Sequence, residues 1–236
     1  MEMPIMVKNK ILLVGSGGSL KGSKSGDMID NFDGLVCRFN SYITTDYEED
    51  LGTKCDIWCM NPRIFFELYF EGHSAITPEL LLTSEIVDTF EGEILIAGKN
   101  HIGYNIKDSE YLNEAVDEYD NAKFITAESL KLGYELVGNY KYCQICERNH
   151  SMIPSTGIQA ILHYLNLNYD VYILGFDISN NNLKLNQNKH YYSEHLFNKH
   201  EDTNEHPSFA LREHNIKKEI KIINILETLK CVKRLD

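Results

Sequence analysis

The stretch that decides the fold is KILLVGSGGSLKG, residues 10–22. Its first five residues form a short, mostly apolar run, and glycines follow at positions 15, 17 and 18. Such a run is typical of a strand that is buried on both faces of a parallel sheet. A glycine-rich turn at the carboxyl end of a strand is where α/β sheets bind ligands. The stretch therefore predicts an inner parallel strand that leads directly into a binding turn.

Similar short apolar runs recur along the chain and alternate with longer segments that could be helices. They are GLVCRF at 34–39, DIWCM at 56–60, EILIA at 93–97 and DVYIL at 170–174. Apolar residues at helical spacing occupy 155–168, and a second such stripe predicts a final helix at about 215–230. The alternation predicts an α/β fold, a single Rossmann-like domain over residues 1–236 with a mostly parallel sheet and helices on both faces.

Length and charge narrow the range of partners. A chain of 236 residues suits one domain better than two. The net charge of −12, with no run rich in lysine or arginine, disfavours nucleic acid as a partner. Residues 217–234 mix Ile and Leu with Lys, so a peripheral membrane contact is an alternative to a helix packed on the core.

The cysteines indicate a reducing compartment. Six cysteines occur in a chain with no visible secretion signal, so we expect free thiols and a cytoplasmic location, with membrane-peripheral attachment as the alternative. Cys143 and Cys146 form a C-x-x-C pair followed by His150, a spacing that could serve zinc or redox chemistry. No fourth ligand is evident nearby, so ordinary loop cysteines are the favoured interpretation.

Two turns are candidates for binding an anionic ligand. GSGGSLKG does not satisfy the G-x-G-x-x-G fingerprint of dinucleotide sites and is not a Walker loop. Its exposed backbone N–H groups and the hydroxyls of Ser16 and Ser19 still suit a phosphate or ribose oxygen. The second turn, PSTG at 154–157, adds two hydroxyls and a helix start. Both turns are predicted at one edge of the sheet, with a nucleotide lying across them.

Four motifs in order give the chain a specific resemblance. Residues 14–54 resemble the large sialylmotif of glycosyltransferase family 29, and PSTGIQAILHYLNLNYDVYILGFD at 154–177 resembles the small one. Tyr191 and Tyr192 after His190 match the H-Y-Y motif, and HNIKKE from His214 to Glu219 matches H-x4-E. LGTKCDIWCMNPRIFFELYF at 51–70 is also similar to bacterial sialyltransferases of family 42.

The resemblance implies a sialyltransferase variant of the GT-A fold that uses a CMP-sugar donor and needs neither metal nor cofactor. The implied reaction is inverting transfer of sialic acid, or a related nonulosonic acid, to a hydroxyl of a glycan or glycolipid acceptor. His214 would be the general base, an imidazole being suited to proton removal near neutral pH. Its rivals for this role are His190, His195 and His206.

The resemblance also implies the residues that bind the donor. As CMP leaves, negative charge builds on its phosphate, and without a metal this charge must be met by phenol and amide donors. Tyr191 and Tyr192 would donate to that phosphate. The predicted donor-binding residues are Gly15, Ser16, Gly17, Ser19, Asn40, Ser41, Asn61, Ser155, Thr156, Gly157 and His190.

Departures from the family pattern and alternative functions stay open at this point. Ser16 stands where the family has Asn, and an apolar residue near Ile11 replaces the cysteine of the large motif, so the disulfide between the motifs is expected to be absent. Asn40 and Asn61 could instead be strand-end caps. The alternatives are a non-catalytic nucleotide-sugar binding protein and a Rossmann-type NAD or S-adenosylmethionine enzyme. The latter is disfavoured because Asn40 stands where an acidic residue would end the second strand.

Overall fold

A parallel sheet of seven strands forms the centre of the computed structural model, in the order β5-β4-β3-β2-β1-β8-β9. The structure describes residues 8–40, 42–62, 64–65, 68, 89–97, 106–137, 140–143, 148–151, 154–177 and 216–235, and only the backbone at 106–111, 140–143, 148–151 and 216–217. The strands of this sheet are β1 (Lys10–Val14), β2 (Leu35–Phe39), β3 (Ile57–Met60), β4 (Glu93–Ile96), β5 (Ala122–Phe124), β8 (Asp170–Leu174) and β9 (Val232–Arg234).

Helices and one hairpin complete the described elements. The helices are α1 (Gly26–Asp30), α2 (Glu48–Leu51), α3 (Ile106–Glu118), α4 (Ala127–Val137), α5 (Thr156–Asn166) and α6 (Ile216–Thr228), with a 3-10 turn at Gly18–Leu20. β6 (Tyr140–Cys143) and β7 (Arg148–Ser151) pair antiparallel, apart from the main sheet. No helix among the described residues is long and apolar enough to cross a membrane.

The order in which successive strands are added to the sheet reverses at β1. β1 pairs on one side with β2, Ile11 opposite Leu35, and on the other with β8, Lys10 opposite Asp170. The chain thus builds the sheet outward from β1 to β5 and then returns to the other side. Ligands bind parallel sheets at such a switch point, outside the carboxyl ends of the strands.

Alternate residues of the inner strands pack against different layers. Ile11 and Leu13 of β1 join a core that includes Ile158 and Ile161 of α5. Their neighbours Leu12 and Val14 belong to a core on the other face, which contains Leu20, Ile29 and Leu51. Burial on both faces explains why these strands read as continuous apolar runs in the sequence.

The fold class predicted from the sequence is confirmed. The five predicted strands and both predicted helices are present within one or two residues of their expected bounds. The strands β5 and β9 and the β6–β7 hairpin were not predicted from the sequence. β5 and β9 are only three residues long, AKF and VKR, and lie at the two edges of the sheet. Ile225 of α6 and Leu229, which directly follows this helix, are exposed, and the alternative of a peripheral membrane contact stays a prediction.

Arg38, within the stretch 14–54 that resembles the large sialylmotif, has a structural role. It is buried in β2, and its guanidinium donates to the carbonyl oxygens of Leu51 at 2.6 Å and Lys54 at 2.9 Å. The guanidinium also lies over the ring of Tyr42, 5.6 Å from the ring centre. Arg38 therefore fastens the segment around α2 to the sheet.

Candidate functional site

The glycine turn after β1 is held against the end of β8. The N–H of Gly15 donates to the carbonyl of Leu174 at 2.8 Å, and the N–H of Gly17 donates to that of Gly175 at 2.9 Å. A Cβ on Gly15 would lie 2.5 Å from the Gly175 oxygen, so only glycine permits this approach. The glycine turn after β1 and the turn after β8 are thus joined backbone to backbone.

Asp177 closes this turn from the β8 side. Its carboxylate accepts a hydrogen bond from the Ser19 N–H at 2.7 Å and another from the Ser19 hydroxyl. The N–H groups of Gly15, Gly17 and Ser19 therefore donate within the protein, although the sequence had suggested that they were exposed. No role was predicted for Asp177 from the sequence. The feature of the sequence that could have identified Asp177 is an acidic residue directly after the turn that ends a buried strand.

Asn40 ends β2 in an unusual backbone conformation. Its φ is 49°, in the left-handed region, where asparagine is among the least strained residues with a side chain. The indole Nε1 of Trp58 donates to the Asn40 carbonyl at 2.6 Å. The side-chain Oδ1 of Asn40 accepts from the backbone N–H of Asn61 at 2.9 Å.

Asn61 ends β3 and begins a helix. Its Oδ1 accepts from the N–H of Ile64 at 3.0 Å, with Pro62 at the first helical position, so Asn61 is an N-cap. Both side-chain oxygens accept from backbone N–H groups, which fixes which end of each amide carries the NH2. Neither NH2 group makes a hydrogen bond within the described part of the chain. The interpretation of Asn40 and Asn61 as strand-end caps is therefore right for their Oδ1 atoms. Their two NH2 groups remain as donors at the ends of adjacent strands.

The start of α5 has a complete N-cap at Ser155. The Ser155 hydroxyl accepts from the N–H of Ile158 at 3.4 Å, and the Ser155 N–H donates to Oε1 of Glu219 at 2.8 Å. Among the described residues, the N–H groups of Thr156 and Gly157 have no acceptor. A helix start leaves its first N–H groups without intrahelical partners, so these two are candidate donors to a ligand.

Phe176 brings the two turns together. A Cβ on Gly15 would lie 3.2 Å from Cδ2 of Phe176, and one on Gly157 would lie 2.7 Å from Cε1 of the same ring. Phe176 also packs edge-to-face on Phe39 at the end of β2, with ring centres 5.8 Å apart. The glycine turn, the PSTG turn and the end of β2 thus lie together at the carboxyl ends of the strands, as predicted.

Acidic residues near this edge have structural partners. Asp50 accepts from the N–H groups of Gly22 at 2.6 Å and Lys24 at 3.0 Å, and these hydrogen bonds hold the pKa of Asp50 below its usual range. Asp50 therefore ties α2 to the loop after the glycine turn.

Within the described ranges, no group of three or more His, Cys, Asp or Glu side chains could hold a metal ion. Independence from metal stays a prediction.

Several predicted site residues lie outside the described residues. They are Ser41, His190, Tyr191, Tyr192 and His214, together with the rival histidines 195 and 206 and Cys146. Helix α6 begins at Ile216, so His214 precedes it by two positions. The predicted roles of all these residues stay predictions.

A parallel sheet with two turns at its switch point, and with amide side chains after the next two strands, has the architecture of a Rossmann-like domain. The profile of glycosyltransferase family 29 (sialyltransferase) matches residues 9–231. The chain therefore belongs to this family, as the motifs had predicted.

Individual relatives agree with this assignment. A stretch of 56 residues is 43% identical to mouse beta-galactoside alpha-2,6-sialyltransferase 1, and covers 24% of this chain and 14% of the mouse protein. The structure is similar to that of a mammalian sialyltransferase in complex with Gal-beta-1-3GalNAc-ortho-nitrophenol, with a TM-score of 0.59 and 18% identity over 97% of this chain and 69% of that one. A second mammalian sialyltransferase structure matches with the same TM-score and identity, over 99% of this chain and 71% of that one. At this identity the two likenesses concern the fold.

Proposed function

We propose that this protein transfers sialic acid, or a related nonulosonic acid, from a CMP-sugar to a hydroxyl of a glycan or glycolipid. The observation that carries the proposal is the pair of amide groups at the ends of β2 and β3. Asn40 and Asn61 have their oxygens fixed by backbone N–H groups, which leaves each NH2 as a donor at the carboxyl ends of β2 and β3, the strands that follow β1 in the sheet. In a chain of family 29, two such donors suit the phosphate of a nucleotide-sugar.

The proposed chemistry is a single displacement. The acceptor oxygen forms a bond to the anomeric carbon of the donor sugar as the bond from that carbon to the CMP oxygen breaks, which inverts the configuration. The acceptor proton passes to the imidazole of His214. The electron pair of the broken bond leaves with CMP, whose phosphate gains charge and is met by Tyr191, Tyr192 and the two asparagine amides.

These neutral donors are why we propose a reaction without a metal ion. Amide and phenol donors that are fixed in place before the reaction would stabilise the charge of the leaving phosphate without reorganising. The N–H groups of Thr156 and Gly157 at the start of α5 would support the donor from the other turn.

The test measures binding and transfer separately. CMP is titrated calorimetrically in EDTA and again in manganese, and we expect the same dissociation constant in both. CMP-sialic acid is then incubated with β-galactoside acceptors, and the anomeric configuration of the product is read by NMR. A strict metal requirement or retained configuration would contradict the proposal. Binding of CMP without transfer to any acceptor would favour a non-catalytic nucleotide-sugar binding protein.

A further inference from the structure

Glu219 is a buried acid in the first turns of α6, and its side chain reaches a different helix. The residue has no exposed surface, and its Oε1 accepts the N–H of Ser155 at 2.8 Å. A buried carboxylate is costly unless hydrogen bonds compensate it. The positive end of a helix dipole also favours a negative charge. The hydrogen bond from Ser155 and the positive end of the α5 dipole both stabilise the negative charge of Glu219 at the start of α5.

The contact completes a capping box between two helices. In a capping box, the N-cap hydroxyl accepts from the third helical N–H, and a Glu at that third position accepts from the N-cap N–H. Ser155 makes the first of these bonds to Ile158. Isoleucine cannot return the second bond, and Glu219 supplies it from α6.

We propose that Glu219 is a positioning residue of the donor site, a role that rests on the proposed function. By capping Ser155, it holds the first turn of α5 in the orientation that leaves the N–H groups of Thr156 and Gly157 facing a ligand. The same bond fixes the beginning of α6, five residues after His214, to this turn. The positioning depends on Oε1 of Glu219, which accepts the hydrogen bond from Ser155. An uncharged side chain with an oxygen at the same place should therefore preserve the position of the first turn of α5.

The experiment compares two substitutions of similar size. Glu219→Gln keeps an oxygen acceptor, whereas Glu219→Met fills the space without one. Glu227 on the same helix provides the matched control, because its Oε1 accepts from Arg234 Nε at 2.8 Å and not from the N–H of Ser155. Glu227→Gln and Glu227→Met are therefore made alongside. Hydrogen exchange of residues 155–159, the CMP dissociation constant, and the donor and acceptor KM are measured for each protein.

We expect Glu219→Met to speed exchange at residues 155–159 about tenfold, the size of effect typical of a lost cap, and to raise the CMP dissociation constant and the donor KM by a similar factor. The acceptor KM stays unchanged. Glu219→Gln remains within about threefold of wild type in every measurement, as do both Glu227 variants. Equal exchange and equal CMP affinity in Glu219→Met and Glu219→Gln would overturn the proposal.

A further variant keeps the test decisive if Glu219→Met does not fold. Glu219→Asp retracts the carboxylate by one methylene, so it should weaken CMP binding although the charge is kept. CMP affinity equal to that of wild type in this variant would overturn the positioning role. Failure of the proposed function is distinguishable, because a wild-type protein that binds no CMP would still show the exchange difference at residues 155–159.

Discussion

The side chain of Asn40 is fixed by the backbone of Asn61, whose N–H donates to Oδ1 at 2.9 Å. This bond joins the ends of β2 and β3 and sets the direction of the remaining NH2 group of Asn40. The strained φ of 49° is the backbone conformation that brings the side chain there. Asn40 thus connects the two strand ends and carries the amide that we propose as a donor to the ligand.

Replacing Asn40 by Asp separates these two roles. The variant keeps the oxygen that accepts from Asn61 and replaces the NH2 group by a second oxygen, so folding is little affected. We expect CMP affinity to fall about 10-fold to 100-fold, because a donor to the phosphate becomes a negative charge. Calorimetric titration with CMP measures this. Asn168→Asp is the control, since Asn168 has a similar φ of 62° in an exposed turn. An unchanged CMP affinity in Asn40→Asp would remove Asn40 from the site.

Asp177 should contribute to stability through Ser19. Asp177→Ala removes both hydrogen bonds from Ser19, and because Ser19 is exposed, water can partly replace the carboxylate, so we expect a loss of about 0.5–1.5 kcal/mol in the free energy of unfolding. Urea denaturation measures it. Asp33→Ala is the comparison, because Asp33 pairs with Lys10 at 2.8 Å with 94% of its side chain exposed, and exposed pairs contribute about 0–1 kcal/mol. An equal loss of unfolding free energy in the two variants would show that the Asp177 contact stabilises the fold no more than an exposed ion pair does.

Buried His163 should make the fold sensitive to acid. Burial, helped by the charge of Lys123, lowers the pKa of His163 from 6.5 to about 4. Below pH 6.5 the unfolded chain binds a proton at this position that the folded chain does not, so stability falls as the pH drops toward 4. Above pH 6.5 the two states are equally unprotonated and the penalty disappears.

The variant His163→Gln tests this pH dependence. The side chain keeps an acceptor for the Thr126 N–H, which lies 3.5 Å from Nδ1 of His163, but it does not titrate. We expect the wild-type protein to lose up to about 3 kcal/mol more than the variant between neutral pH and pH 4. Unfolding free energies measured in urea at several pH values give the comparison. Parallel curves for the two proteins would contradict the prediction.

His214→Ala should separate turnover from binding. Loss of a general base typically lowers turnover about 10²–10⁴-fold, while CMP affinity stays close to that of wild type. Steady-state kinetics of the alanine variants at positions 190, 195, 206 and 214 decide among the four histidines. A His214 variant that retains turnover within about threefold of wild type would assign the proton to another group.

Much of the fold could be predicted because the inner strands carry an unmistakable pattern. β1 and β8 are mostly apolar along their length, a pattern typical of strands in a sheet that is covered on both sides. β9 reads VKR and was missed, because an edge strand of three residues needs no apolar run. Its place beside β8 depends on packing with α6, which a local pattern does not contain.

The candidate site was predictable in its residue types and less so in its contacts. The motifs identified Asn40, Asn61 and the PSTG turn. They could not show that each asparagine oxygen is already bonded to a backbone N–H. Nor could they show that Asp177 takes the N–H of Ser19, since these residues are distant in the chain and meet only when β1 pairs with β8. Contacts between distant segments are set by the assembled sheet and leave no periodic signal.

The position of β1 between β2 and β8 also bears on how the protein is made. A ribosome delivers the amino-terminal strands first, so β1 to β5 can assemble while later segments are still being synthesised. Throughout that interval β1 has an open edge on the side that β8 will cover, since Lys10 pairs with Asp170. The glycine turn after β1 lacks its hydrogen-bond partners at Leu174 and Gly175 until β8 has been made. Until then, the edge of β1 is the part of the incomplete sheet that is open to pairing with another strand.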